Sequence, residues 1–84
     1  MPNVALIIEL AVQVALEGDW DKSHKIAQEY YDPAANWLHA VLHKIEGDVW
    51  NSKYWYARTP GKSYEDFIDP QAELLAIQNS LKVS

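Results

Sequence analysis

Apolar residues cover almost the whole circumference of the first predicted helix, Val4 to about Glu17, broken only by Glu9, Gln13 and Glu17 at i, i+4 and i+8. An ordinary surface helix has an apolar stripe a little over roughly 100° wide, so this pattern predicts cover on several sides. Asn3 stands at the cap position. A second helix, Trp20 to about Tyr31, places Trp20, Ser23, Ile26, Ala27 and Tyr30 on one face and turns Asp21, Lys22, Lys25 and Glu29 away from it. Asp32 followed by Pro33 stops that helix and opens a third, Pro33 to about Glu46. Asp48 caps a fourth, Val49 to about Arg58, with Trp50, Tyr54, Trp55 and Tyr56 on more than one side. The run from Thr59 to Lys62 reads as a turn, and Ser63 with Asp66 as a capping box for one turn through Ile68. Asp69 and Pro70 open a last helix to about Leu81, striped by Leu74, Ile77 and Leu81. The period-two alternation of strands is absent.

Glu-Gly-Asp occurs twice, at 17–19 and 46–48, each time between an apolar helix and an aromatic-rich one. Gly after a helix end and Asp before the next is the chemistry of a tight helix-turn-helix joint. Superimposing the joints aligns Ala11 with Ala40, Val12 with Val41, Leu16 with Ile45 and Ser23 with Ser52, so small residues recur where antiparallel helices approach most closely. Ala11, Gly18, Asp19, Trp20, Ser23 and Pro33 in the first unit, and Ala40, Gly47, Asp48 and Ser52 in the second, resemble the tetratricopeptide helical hairpin. The period is shorter than the usual roughly 34 residues, and only two units are present. Between Gly18 and Arg58 the runs Gly18-Asp19-Trp20, Ser23-His24, Trp37 to Asp48 and Asn51 to Tyr56 are also similar to a group of small bacterial proteins known only as uncharacterised. That resemblance implies a stand-alone helical protein and carries over no activity. The expectation is one all-α domain over 1–84: hairpin one about 3–31, hairpin two about 33–58, and a loop and covering helix over 59–82.

Length and charge narrow the function classes. A chain of 84 residues buries only about 60–65% of its unfolded surface, so partner contacts can contribute to its stability. The uncovered circumference of the first helix, and the aromatics of the fourth, make a homodimer the expected state. A formal charge of −5, with seven scattered Lys and Arg, offers no basic stripe for phosphates or anionic membrane, so neither nucleic acid nor membrane is expected. The chain has no Cys and hence no thiolate metal site, and a reducing cytoplasm is the default expectation.

Chemistry concentrates on the third helix, where His39, His43 and Glu46 at i, i+4 and i+7 line one side. Two imidazoles and a carboxylate suit Zn²⁺ or Fe²⁺, although the Glu does not lie between the histidines as it does in metalloprotease helices. No metal or cofactor is assigned on this pattern alone. The repeat register sets His39 against Leu10 and His43 against Val14, which would turn Asn36, His39 and His43 inward toward Ser52 and Tyr56. An alternative rotation buries Trp37, Leu38, Val41, Leu42 and Ile45 and leaves the histidines at the margin; an intermediate arrangement, the favoured one, buries that arc and keeps the histidines partly buried at its edge, hydrogen-bonded to Tyr or Asp. The candidate ligand-binding set is His24, His39, His43, Asn36, Tyr56 and Arg58; the candidate partner-binding set is Trp50, Tyr54 and Trp55. Asp19, Asp32, Asp48 and Asp69 read as helix caps, and no nucleophile–base pair is legible, so catalysis is the lesser expectation. Two functions compete: a non-catalytic module for a protein or peptide partner, and a small-molecule or metal-binding protein, conceivably an enzyme, using the histidines. Convergence of the three imidazoles would favour the second.

Overall fold

A computed structural model describes residues 3–82, so the single-domain reading of 1–84 runs past them at both ends. These residues form five α-helices: α1 (Val4–Leu16), α2 (Trp20–Ala27), α3 (Pro33–Ile45), α4 (Val49–Tyr56) and α5 (Pro70–Leu81), with a single 3₁₀ turn at Tyr64–Asp66. No strand occurs among the described residues. Helix α2 is one turn shorter than its apolar face suggests, because Gln28 already caps it and two turn residues follow.

The two Glu-Gly-Asp joints are the same structure twice. Gly18 and Gly47 sit at φ +93° and +83°, where a β-carbon would be strained. Each is followed by an N–H that reaches back across the turn: Asp19 to the Val14 carbonyl at 3.1 Å, Asp48 to the His43 carbonyl at 2.9 Å. With the Gly18 N–H on Ala15 and the Gly47 N–H on Lys44, both ends are Schellman motifs. Each Asp side chain then accepts from the backbone N–H three residues on, Lys22 or Asn51, at 3.2 Å. Past the turn, buried Ser23 donates to the Ala11 carbonyl at 2.8 Å and buried Ser52 to the Ala40 carbonyl at 2.6 Å. These bonds fold α2 back on α1 and α4 back on α3. Asn3 and Asp69 cap as expected; Asp32 does not, since Pro33 starts α3 while the Asp32 side chain makes no cap bond.

Helix α3 lies at the centre, packed by the other four. Residues 35–43 are all buried, so the histidine side and most of the apolar arc are covered together, as in the intermediate arrangement, while Ile45 at the end of the arc is exposed, contrary to expectation. Helix α5 crosses α1 and α3 and inserts Leu74 and Ile77 into the core with Ile8, Val12, Leu38 and Val41. It also buries Glu73, whose carboxylate accepts from Trp37 Nε1 at 2.8 Å, Tyr56 Oη at 2.6 Å and Lys44 Nζ at 2.7 Å. Lys44 spends its other protons on the Tyr64 and Phe67 carbonyls, at 2.9 and 3.2 Å. Burial first, and then the Glu73 hydrogen bond, pushes the Tyr56 phenol above its ordinary pKa, so it stays a donor. Sequence reading missed Lys44 and Glu73, although Glu73 occupies a stripe position one turn before Ile77.

Breaking one side of a buried ion pair leaves an unsolvated charge and costs about 3–5 kcal/mol, whereas replacing both partners by apolar groups is often neutral. Glu73→Ala is therefore expected to destabilise the fold by about 3–5 kcal/mol in urea denaturation, and Lys44→Met with Glu73→Leu to recover only part of that loss, since the Trp37 and Tyr56 donors stay without their acceptor. A loss below about 1 kcal/mol in the single variant would show that the pair does not hold α5 in place.

Candidate functional site

The structure brings together His24, His39 and His43, each delivered by a separate local constraint. His43 ends α3 two residues before its last residue, and its carbonyl is fixed by the Asp48 N–H of the second joint. His39 lies one turn earlier and stacks on Trp55 of α4, with centroids 4.0 Å apart and planes 14° apart. His24 comes from α2, stacked on Trp20 at 4.7 Å, and Trp20 Nε1 donates to the Leu42 carbonyl of α3 at 2.6 Å. That bond pins α2 against α3 and sets the third imidazole opposite the first two.

His24 Nε2 faces His39 Nε2 at 3.0 Å. His39 and His43 stack at 5.0 Å, and one nitrogen from each of the three rings lies within 4.8 Å of the others. His43 Nδ1 bonds Glu46 Oε1 at 2.5 Å, which orients that ring. His39 and His43 are almost fully buried, and His24 is partly exposed. The histidines are thus bonded to one another and to Glu46, not to Tyr or Asp as the intermediate arrangement anticipated. His43 also belongs to a second group of potential ligands with Glu46 and Asp48. There the Asp48 carboxyl is already engaged, held below its usual pKa by the Asn51 side-chain amide and then the Asn51 backbone N–H.

Burial, and then the neighbouring His24 and His43, lower the pKa of His39 to about 4. Burial and His43 also lower that of His24, against the pull of Glu46 and Asp21. Free-base imidazole is the form that binds a metal, and His39 holds it across the neutral range.

The other candidates lie elsewhere. Tyr56 is turned to Glu73. Asn36 Nδ2 ties the Tyr31 and Arg58 carbonyls at 3.2 and 3.4 Å, and its Oδ1 is buried with no protein partner. Arg58 lies over the Tyr54 ring at 3.7 Å. Of the partner-binding set, Trp55 is a wall of the histidine cluster, while Trp50 and Tyr54 stay exposed. The 3₁₀ turn and the loop around it cover Tyr56, not those two rings. Trp20 is a neighbour of the cluster that the sequence showed only as a hairpin aromatic, whereas Glu46, read there as a third ligand beside His39 and His43, is instead bonded to His43 Nδ1. No helix among the described residues is long and apolar enough to cross a membrane. No family model, curated protein or solved structure matches this chain.

Because the folded pKa of His39 lies below the unfolded value of 6.5, the unfolded chain binds more protons between them and stability rises with pH in that window. In the presence of a chelator, the urea midpoint is expected to be flat above pH 6.5 and to fall steadily toward pH 4. His39→Leu keeps an apolar contact with Trp55 and should flatten that fall. An identical profile in the variant would remove the assigned burial of a neutral His39.

Proposed function

We propose that the protein is a small metal-binding module, holding a divalent transition-metal ion through His24, His39 and His43 on two tetratricopeptide-like hairpins. The observation that carries this reading is the convergence of the three imidazoles across the joint between the hairpins. A tetrahedral ion with bonds of about 2.0–2.1 Å needs nitrogens about 3.3 Å apart. The Nε2 pair at 3.0 Å is close to that spacing, and a small closing movement of the third ring completes three corners. Three neutral nitrogen donors favour zinc, copper, nickel or ferrous iron over magnesium and calcium. Glu46 behind His43 is the carboxylate partner that metal-bound histidines commonly have. The duplicated joint and the serine-to-alanine bonds support the tetratricopeptide-like description. A binding or regulatory role is favoured over catalysis, since Glu46, the carboxylate bonded to the cluster, is engaged by His43 Nδ1.

The reading as a protein-interaction module keeps one observation of its own: the exposed Trp50 and Tyr54 on α4, with the exposed Arg58 just past its end. It is compatible with the metal site, and the surface it uses is a separate one.

Metal-free protein carrying no histidine tag is expected to bind one Zn²⁺ or Co²⁺ per chain by calorimetry, with Trp fluorescence changing through the Trp20 and Trp55 stacks. Ion at about 100 times its dissociation constant adds about 2.7 kcal/mol, which for a domain this small raises Tm by about 10 °C or more. His24→Ala and His39→Ala should each weaken binding by about tenfold or more. Absence of stoichiometric binding, or binding indifferent to both substitutions, would reject the proposal.

A further inference from the structure

Three imidazoles supply three corners, and a tetrahedral ion has four. Among the described residues no carboxylate or further histidine joins His24, His39 and His43 within ligand distance. Glu46, the acid bonded to the cluster, is held on the wrong side of its histidine. A carboxylate only accepts, so the proton of the His43–Glu46 bond stays on Nδ1 and the lone pair of that ring lies at Nε2. The two nitrogens of an imidazole point away from each other, so an acid held at Nδ1 is turned from an ion held at Nε2. Trp20 and Trp55, stacked on His24 and His39, offer no lone pair, since an indole N–H is a donor only.

Access and charge define what completes the shell. His39 and His43 are closed in and His24 is partly exposed, so a fourth ligand enters from the His24 side. Trp20 borders that approach, stacked on His24 and edge-on to His43 at 6.0 Å, which favours a ligand of few atoms. Three neutral imidazoles leave the whole double charge on the ion, and a buried charge without compensation is costly. Glu46 offsets one unit through His43, and Asp21 is the other acid whose charge is felt at His24. A monoanion cancels the remaining unit, whereas a dianion sets excess negative charge beside Glu46 and Asp21.

We propose that the metal-loaded cluster binds one small monoanion, such as a halide, azide or a short carboxylate, directly on the ion at its fourth corner. This rests on the metal-binding reading of the cluster and names what that site takes.

Cobalt(II) is the probe ion, because its visible absorption reports its ligands. A Co²⁺ titration first establishes stoichiometric loading, and sodium azide is then added to the loaded protein, with sodium sulfate at equal ionic strength as the comparison. Azide is expected to shift the visible band, to saturate at one anion per ion, and to bind about tenfold or more tightly than sulfate. Glu46→Gln removes a compensating charge and should tighten azide by about threefold or more. Loading with no response to azide, bleaching of the band as azide strips the ion, or sulfate bound as tightly as azide overturns the inference and leaves the metal site standing. A response that appears only in Glu46→Gln overturns it as well, by showing that Glu46 holds the fourth corner. Failure to load Co²⁺ removes the metal-binding reading, and the anion site with it.

Discussion

The carboxylate of Glu73 fixes the phase of α3, and the rest of the structure depends on that phase. Trp37 and Lys44 are seven residues apart, two turns on one face, and both reach the same carboxylate. His39 and His43 fall on roughly the opposite side of the helix. Holding the first face against α5 therefore commits the second to α2 and α4. A buried ion pair is a weak source of net stability unless its remaining hydrogen-bonding capacity is filled. Here the lysine has three acceptors and the carboxylate three donors, one of them the Tyr56 phenol from α4. The network therefore contributes direction: shifting α3 by one residue about its axis would leave a charge without a partner, whereas an apolar arc alone would tolerate the shift.

The duplicated joint explains why the histidines occur in only one of the two units. Leu10 and Val14 of α1 correspond in register to His39 and His43 of α3. In α3 that face meets the preceding hairpin, through Trp20 and His24 of α2. No hairpin precedes α1 among the described residues, and Leu10 is left 55% exposed. At the matching positions of α1, Leu10 is exposed and Val14 is buried, so the second copy encloses a polar joint where the first leaves one apolar side chain open.

Much of the scaffold was legible because its determinants are local. The glycines at positive φ, the aspartates that cap, the proline at the start of α5 and the serines opposite alanines each act within a dozen residues, and the sequence shows both partners. The site was legible only as an inventory. His24, His39 and His43 could be named, but whether they meet depends on the phase of α3, which is set by Glu73, 30 residues beyond His43 in the chain. Lys44 and Glu73 went unmarked in the sequence, where long charged side chains are ordinarily solvated. Tyr56 and Asn36 were drawn toward the histidines by register, yet the structure gives each a different buried partner. Asp32 repeats the Asp-Pro device of Asp69 but leaves the helix start to proline alone.

The histidine cluster and the outer face of α4 share no donor, but they share a side chain. Trp55 lays one face on His39 and meets Tyr54 edge-on at 5.2 Å. Its indole is held between the buried His39 ring and the exposed Tyr54 ring. Helix α4 has only eight residues and is fixed at its start by the Asp48 cap and by the Ser52 bond to Ala40. The cluster and the outer face of α4 are thus joined by direct packing through one indole on a helix fixed at its start.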